Sequence, residues 1–180
     1  MDFEIIETPR LFLRKITPEV HRYVHAHYSD SELREFFAIG SDKSLEREMR
    51  MFNHGLTTFN KSFLWFHILD KTDGKHIGWC GYHTWYFEHA RAEIGYGLYD
   101  DHYKQKGLMT EALRAVLDYG FDEMKLNRVE ALLADYNVPS LKLVEKFGFR
   151  KEGLLRGHYF VDGIAEDSLM FGLLQSDYQR

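Results

Sequence analysis

The sequence is poor in cysteine and proline, and both shortages limit what the chain can be. Among its 180 residues are one cysteine, Cys80, and three prolines. A single cysteine excludes an internal disulfide framework and fits a reducing compartment. With so few prolines, no internal repeat and no Ser/Pro-rich linker, we expect residues 1–180 to form a single domain.

Long apolar runs and an excess of positive charge are also missing. No stretch approaches the roughly 20 apolar residues of a membrane-spanning helix, and the N-terminus lacks the basic and apolar regions of a signal peptide. Lys and Arg number 23 against 28 Asp and Glu, which gives a formal net charge of −5. Such a chain lacks the basic stripe of a nucleic-acid binder. We therefore expect a cytoplasmic protein with neither a nucleic acid nor a membrane as its partner.

Aromatic residues are abundant, at 16% of a chain whose hydrophobic content is 44% and whose mean hydropathy is −0.42. This composition is typical of a soluble globular domain with a substantial core. The aromatic residues concentrate in 63–66 and 79–87. We expect most of them in the core, with Trp85, Tyr86 and Phe87 available to wall a cleft.

The hydrophobic pattern predicts an α+β fold with about seven strands. The predicted strands are 10–16, 63–69, 75–87, 92–99, 128–134, 154–161 and 164–174, and the predicted helices lie within 18–60, 107–124 and 138–147. Thr17, Ser29, Ser41 and Asn137 are predicted helix N-caps. We expect a mixed, mostly antiparallel sheet that is flanked by helices and parallel only at the helical crossovers.

The turn from Lys104 to Thr110 leads into the most regular predicted helix. A helix N-terminus directs backbone N–H groups and its dipole at one place, which favours an anion. Gly107 allows a close backbone approach, and Lys104 and Lys106 add positive charge. The segment therefore predicts a phosphate or pyrophosphate site, or alternatively an ordinary tight turn with solvated lysines. It is not a Walker A loop, because no Gly-Lys-Ser/Thr follows at the required spacing.

Four segments in a fixed order carry a family resemblance that covers about residues 8–178. They are Thr-Pro-Arg-Leu-Phe-Leu-Arg at 8–14, Ala-Glu-Ile-Gly-Tyr-Gly-Leu at 92–98, Gly-Leu-Met-Thr-Glu-Ala-Leu at 107–113, and Asn-x-x-Ser-x-x-Leu-x-Glu-Lys-x-Gly-Phe at 137–149. The core 92–149 resembles the acyl-coenzyme A core of GNAT-type N-acetyltransferases. The whole chain resembles their RimJ/RimL-type (ribosomal-protein-alanine acetyltransferase-like) subgroup.

The resemblance implies a GNAT-like (acyl-CoA N-acyltransferase) fold and an enzyme. Acetyl-CoA would be the cosubstrate, and the acetyl group would pass directly to a primary amine in a ternary complex. The acceptor would be a protein N-terminus, a polyamine or another small amine. Direct transfer needs no metal, and the protein would be a monomer or a homodimer. The alternative is a non-catalytic CoA-binding or sensor module of the same fold.

Three residues are candidates for catalysis by this resemblance. Glu93 is the candidate base, or alternatively a carboxylate paired with Arg91 or Arg128. Ser140 is the candidate acid or thiolate hydrogen-bond donor, or alternatively only a coenzyme contact or helix cap. Tyr136 is a reserve acid, or a packing residue.

The coenzyme would lie along a splay between two strands and then on the turn described above. The expected pantetheine partners are the backbone groups of Gly97, Leu98 and Tyr99, the side chain of Asn137, and Ser140. The expected pyrophosphate partners are Lys104, Gln105, Lys106, Gly107, Leu108, Met109 and Thr110.

The chain departs from the family pattern at three positions. Lys104 stands where Arg or Gln is common, Met109 stands where Gly or Ala is common, and Val144 stands where many relatives carry a tyrosine acid. Lys104 can supply charge but not the bidentate fork of an arginine. The proton-donating role of that tyrosine must therefore be filled elsewhere in this chain or go unfilled.

Two further features are expected to be structural. Cys80 lies within a predicted strand, and direct transfer requires no cysteine nucleophile. His21 and His25 have the i, i+4 spacing of a zinc pair. In a chain with 10 histidines such a pair arises readily by chance, so we expect them on a solvated helix face.

Overall fold

The fold is an eight-stranded sheet with helices on its two faces, seen in a computed structural model that describes residues 1–179. The strands are β1 (Ile5–Glu7), β2 (Leu11–Ile16), β3 (Ser62–Asp70), β4 (His76–Tyr86), β5 (Arg91–Leu98), β6 (Arg128–Leu133), β7 (Arg150–Val161) and β8 (Ile164–Leu174). The α-helices are α1 (Pro18–His27), α2 (Asp30–Phe37), α3 (Asp42–His54), α4 (Leu108–Asp122) and α5 (Val138–Lys146). No helix within the described residues is long and apolar enough to cross a membrane.

The strand order is β1-β2-β3-β4-β5-β6-β8-β7, and β5 and β6 form the one parallel pair among the described residues. The predicted α+β class and mixed, mostly antiparallel sheet are confirmed. The expected seven strands become eight because β1 adds three residues to the edge of β2. A strand of three residues is too short to show an alternating pattern in the sequence. β7 also begins at Arg150, four residues before the predicted start, and a register irregularity separates the pairs of Lys151 and Gly153.

The predicted N-caps are confirmed at four helices. The side chains of Thr17, Ser29, Ser41 and Asn137 accept backbone N–H bonds at the starts of α1, α2, α3 and α5. Ser29 and Glu32 form a reciprocal capping box. Each such cap supplies an acceptor to a backbone donor that the helix itself cannot satisfy.

The main core lies between the sheet and α4. This helix buries Ala112, Leu113, Val116, Leu117 and Phe121 against β4, β5 and β6. A second apolar cluster packs α1, α2 and α3 against β2 and β3. Cys80 lies in the main core, where burial raises the pKa of its thiol. The protonated, inaccessible thiol fits the structural role that the sequence predicted for it.

The expectation that His21 and His25 lie on a solvated helix face is wrong. His21 is 4% exposed, and the side chain of His25 is 0% exposed. Both rings turn their Nε2 atoms to Oε1 of Glu48 on α3, at 2.9 and 3.1 Å. Burial alone would raise the pKa of Glu48, but the hydrogen bonds and positive potential of the two histidines lower it to about 2. The spacing placed the pair on one face of α1, and packing against α3 decided that this face is buried.

Gly120 lets α4 pack closely on β4. A Cβ at this position would come 2.0 Å from the hydroxyl oxygen of Tyr82, which is fully buried and donates to the carbonyl of Val116 at 2.9 Å. We predict that Gly120→Ala lowers the free energy of unfolding by about 1–3 kcal/mol, because overpacking outweighs the roughly 1 kcal/mol gain in helix propensity. Urea denaturation measures this change.

Gly153→Ala is the matched control, because a Cβ there meets nothing within 4 Å. It should change the free energy of unfolding by less than about 0.5 kcal/mol. Equal stability of the Gly120→Ala variant and the parent protein would show that the contact with Tyr82 does not constrain the packing of α4.

Candidate functional site

β5 and β6 separate after a short parallel pairing, and the separation leaves an open strand edge. Residues Arg91–Glu93 pair with Arg128–Glu130, while the remainder of β6 pairs only with β8. The stretch from residue 94 to residue 98 therefore has no strand partner on this side. This is the splay that the sequence analysis expected, and backbone donors and acceptors along it are available to a ligand.

Alternation along β5 decides which residues face the gap. The carbonyl of Gly97 faces β4, since a Cβ on Gly78 would come 2.3 Å from it. The N–H of Tyr99 also faces β4 and donates to the carbonyl of Ile77 at 3.0 Å. Because successive backbone groups of a strand point to opposite sides, the groups of Leu98 and Tyr96 face the gap. Of the three residues whose backbone groups were expected to bind pantetheine, only Leu98 has its groups toward the splay. Tyr96, which was not expected, also has its backbone groups toward it.

The turn before α4 has the shape of an anion cradle. Gln105 and Gly107 have φ angles of 59° and 75°, and no side chain caps the helix. The N–H of Glu111 makes a bond to the carbonyl of Gly107 at 3.0 Å, so the N–H groups of residues 108–110 precede the helical ladder. The other four α-helices within residues 1–179 have side-chain caps. Three donors and the helix dipole thus point at one place.

An arginine that the sequence analysis did not single out lies at the same turn. Arg10 donates from Nη1 to the carbonyl of Lys106 at 2.9 Å and from Nε to Glu111 at 2.7 Å. Lys104 pairs with Asp101 at 2.5 Å, and Nζ of Lys106 lies 3.3 Å from a nitrogen of His102. Arg10 is 96 residues from Lys106 along the chain, so no local signal could have placed it there.

Glu93 lies on β5 with its side chain 15% exposed, beside a histidine. Nε2 of His83 is 3.0 Å from its Oε1, and the hydroxyl of Tyr159 donates a long, weak bond of 3.5 Å to the same oxygen. Burial alone would raise the pKa of Glu93, but the hydrogen bond and charge of His83 oppose burial and the pKa is lowered. The ion pair with Arg91 or Arg128 is not formed, since both arginines bind Glu130 at 2.8 and 2.9 Å.

His83 was also missed by the sequence analysis. A β-bulge between the pairs Tyr82↔Ile94 and Thr84↔Glu93 leaves His83 as the extra residue of β4. Its Nδ1 is buried without a hydrogen-bond partner among the described residues. A Cβ on Gly95 would come 2.7 Å from the Trp79 ring and 2.8 Å from this nitrogen, so glycine at position 95 lets both rings pack closely on β5.

Ser140 and Tyr96 meet beside the splay. The N–H of Ser140 donates to Oδ1 of Asn137 at 3.3 Å, which fixes the start of α5 and leaves the amide nitrogen of Asn137 to donate elsewhere. Burial raises the pKa of Tyr96 to about 12, and the nearby Ser140 hydroxyl partly opposes this rise. The two hydroxyls do not form a well-aligned hydrogen bond, because the Tyr96 hydroxyl has no geometric partner within residues 1–179.

The structure places Tyr136 and Val144 in contrasting environments. Tyr136 is 67% exposed, and its hydroxyl donates to Glu166 of β8 at 2.6 Å, which raises the pKa of Tyr136. This bond ties Tyr136 to β8 at the surface. Val144 is fully buried in the main core, where its side chain can donate no proton.

A cavity of about 490 Å³ lies between α2, α3, the face of β3 and β4, and Tyr99 just after β5. Its wall includes four aromatic rings and four charged or titratable side chains, which are Phe37, Trp65, Trp79 and Tyr99, and Arg47, Glu48, His67 and His83. His83 connects this cavity to Glu93. The expected walls Trp85, Tyr86 and Phe87 lie elsewhere, with the ring of Tyr86 under the guanidinium of Arg91 at 4.1 Å.

Comparison with known proteins relates this geometry to one family. The acetyltransferase (GNAT) domain family matches residues 10–150. The chain is 37% identical over 177 residues to the uncharacterized N-acetyltransferase p20 of Bacillus licheniformis, covering 97% of this chain and 98% of that protein. It is 33% identical over 107 residues to the putative ribosomal N-acetyltransferase YdaF of Bacillus subtilis, covering 59% and 58% of the two chains.

Solved structures share the fold. The spermidine/spermine N-acetyltransferase SpeG of Vibrio cholerae superposes with a TM-score of 0.69 at 23% identity, over 95% of this chain and 97% of that one. At this level of identity the similarity establishes the fold.

Removal of His83 should change the ionisation of Glu93. We predict that His83→Gln raises the pKa of Glu93 above its value in the parent protein, because burial remains while the stabilising hydrogen bond and charge are lost. Carboxyl-carbon NMR titration measures this pKa. His89→Gln is the control, since His89 is exposed on the short 3-10 helix Phe87–His89. An unchanged titration of Glu93 in the His83 variant would show that another group holds its charge.

Proposed function

The chain belongs to the GNAT acetyltransferase family, whose domain spans residues 10–150, and from that premise we propose that it transfers an acetyl group from acetyl-CoA to a primary amine. The observation that carries the proposal is the open edge of β5 leading to the uncapped N-terminus of α4. An open strand edge can bind the amides of an extended arm, and the helix N-terminus beyond it can bind a pyrophosphate, so the two together suit a ligand that has both. The RimJ/RimL-type subgroup is supported by the similarity to a putative ribosomal N-acetyltransferase.

The residues of the splay and the turn fit acetyl-CoA chemically. Backbone groups of Tyr96 and Leu98 are free of strand pairing on the gap side, so the pantetheine amides would bind there as an added strand. The amide nitrogen of Asn137 would donate to the same arm. The N–H groups of residues 108–110, with Arg10 and Lys106 nearby, would hold the pyrophosphate. When bound, acetyl-CoA supplies the activated acyl group.

The pair formed by Glu93 and His83 is the proposed base. An ammonium ion has no lone pair, so an amine acceptor must lose a proton before it attacks. Glu93, ionised at neutral pH, holds the Nε2–H of His83 and leaves Nδ1 with its lone pair. His83 lines the aromatic cavity with Nδ1 covered by Gly95 and the Trp79 ring, so an entering amine would pass its proton to this nitrogen through a water or after a small shift of that ring.

Ser140 and Tyr96 are the proposed donors for the leaving thiolate. With a pKa of about 12, Tyr96 is protonated at neutral pH and its hydroxyl has a hydrogen to donate. Ser140 lies next to it at the start of α5, where it can donate directly or relay a proton. Together they fill the role that the valine at position 144 cannot.

The acceptor would enter through the aromatic cavity. Ring faces attract cations, while the wall holds both the carboxylate of Glu48 and the guanidinium of Arg47. The aromatic rings are thus the feature that favours an amine acceptor, either a protein N-terminus or a polyamine or other small amine. Relatives with both kinds of named substrate share the fold. A cytoplasmic location would supply acetyl-CoA and such acceptors.

Glu93→Gln tests the assignment of the base. We predict a fall in kcat/KM of about 10²–10⁴-fold, because the amide cannot hold His83 in the same tautomer with the same charge. Thiol release from acetyl-CoA with a panel of amines measures the rate, and calorimetry with CoA should show nearly unchanged affinity. Glu88→Gln is the control, since Glu88 is an exposed carboxylate on the short 3-10 helix Phe87–His89.

The same assay distinguishes an acetyltransferase from a non-catalytic CoA-binding module. If the parent protein binds CoA and no amine accelerates thiol release, the protein is a non-catalytic CoA-binding module. If CoA does not bind, both functions are wrong.

Gly107→Ala tests the cradle. Gly107 has a φ of 75°, a left-handed conformation that costs an L-residue with a Cβ about 1–2 kcal/mol. We predict a loss of roughly tenfold in CoA affinity, measured by calorimetry, as the turn relaxes away from this shape. Gly163→Ala imposes a similar strain, at a φ of 82°, in the distant β7–β8 turn and should leave CoA affinity unchanged. Equal CoA affinity in the two variants would contradict the cradle.

A further inference from the structure

The cluster of His21, His25 and Glu48 is a second group of chemically active side chains, and it takes no part in the proposed proton transfers, although Glu48 also lines the acceptor cavity. The i, i+4 spacing on α1 brings the two imidazoles to one face, and α3 supplies the carboxylate opposite them. The three potential ligand atoms all lie within 4.8 Å of one another. Helices α1 and α3, which do not include the turn before α4, thus bring their side chains together at one point.

From this convergence we propose that His21, His25 and Glu48 bind one divalent transition-metal ion of the Zn²⁺ class. Imidazole nitrogens and a carboxylate oxygen are donors that Zn²⁺ accepts, with bonds of about 2.0–2.2 Å. Tetrahedral bonds of that length place neighbouring donor atoms roughly 3.3 Å apart. The two nitrogen–oxygen distances are 2.9 and 3.1 Å, close to that spacing, and the two nitrogens lie within 4.8 Å of each other.

Hydrogen bonding within the chain does not fully satisfy the cluster. Both imidazoles use the same atom, Oε1 of Glu48, as their acceptor. Nδ1 of His25 is buried and has no partner among the described residues. Nδ1 points away from Glu48, so an ion bound at Nε2 would leave this second nitrogen without an acceptor.

The surroundings hold the two rings in place and keep bulk water away. The ring of His25 stacks on Phe52 with centroids 4.1 Å apart, and His21 meets the edges of Phe63 and Trp65 at 5.8 and 6.0 Å. Packed rings lose little freedom when an ion binds, which favours binding. The side chain of Glu48 is 17% exposed and lines the aromatic cavity, so a cavity water can be the fourth ligand and ions can enter from there.

The expected affinity follows from what the site contains. Three protein ligands and a dry shell resemble the open type of zinc site. Metal-binding histidines usually give their second N–H to an acceptor, and loss of such a partner weakens binding about 10–100-fold. Because His25 has none, we expect a dissociation constant of about 1–10 μM at pH 7.5, weaker than that of closed structural zinc sites.

The bound ion would clamp α1 to α3, and α3 forms part of the cavity wall. This role does not depend on acetyl transfer, so the metal site and the proposed function can fail separately. The ion is proposed as a structural one.

Metal titration of the tag-free, chelator-treated protein tests the proposal. We expect calorimetry with ZnCl₂ to give one equivalent of bound ion, and Co²⁺ to give the visible absorption of a four-coordinate site. At a hundredfold excess of Zn²⁺ over the dissociation constant, Tm should rise by about 5–10 °C. The variants Glu48→Gln and His25→Gln should each bind Zn²⁺ at least tenfold more weakly and lose the Co²⁺ absorption.

Exposed histidines on the same helices provide matched controls. His27 on α1 and His54 on α3 are both exposed, and His27→Gln and His54→Gln should bind Zn²⁺ as the parent protein does. Circular dichroism without metal checks that each variant folds, and Glu48→Gln decides the outcome if His25→Gln does not fold. Absence of binding at 100 μM Zn²⁺, or binding that the Glu48 and His25 variants retain, would overturn the proposal.

Discussion

β5 and β6 remain hydrogen-bonded only as far as Glu93 and Glu130, and the site depends on the point at which they separate. Before that point the two strands fix Glu93 within the sheet, while beyond it the β5 edge has unpaired backbone groups. Such groups require a partner, because unsatisfied backbone polar groups are costly once water is excluded. The crossover helix α4 starts at the far end of the same edge, so its uncapped N-terminus continues the row of free donors. The carboxylate proposed as part of the base, the open edge and the turn proposed to hold the pyrophosphate therefore follow one another from β5 to α4.

The two carboxylates near the cavity, Glu93 and Glu48, both have histidines as hydrogen-bond partners. Glu93 faces His83 and Glu48 faces His21 and His25, whereas Glu130, the register partner of Glu93 on β6, is paired with arginines. In both cavity clusters the imidazoles lower the pKa of a carboxylate that burial alone would raise. An arginine would fix a permanent positive charge, but an imidazole can give up or accept a proton near neutral pH. Glu93 and Glu48 are therefore anionic and yet lie next to groups that exchange protons or bind metals.

Much of the architecture could be predicted because its signals are local. A serine, threonine or asparagine before an amphipathic stretch indicated four N-caps, which the structure confirms, and Gly107 indicated the turn before α4, whose role as an anion cradle stays a prediction. β1 escaped notice because three residues hold no periodicity. Arg10 and Tyr96 were missed for another reason, since each joins the site through a contact with a residue far away in the chain, namely Lys106 and Ser140. In the case of His83 the decisive feature is a bulge, which depends on how β4 and β5 are paired.

By itself the sequence determined the order of the main elements, the helix caps, the positive charge of the turn from Lys104 to Thr110, and the family resemblance. These properties depend on spacings of a few residues, so hydrophobic periodicity and capping residues are enough to predict them. Only the tertiary structure decided that Leu98 and not Gly97 faces the gap, that Glu93 is bound to His83, and that the His21 and His25 rings are buried against Glu48. The reason is physical: strand register and helix packing bring together groups that are far apart in the chain, and burial then sets the charge of each group.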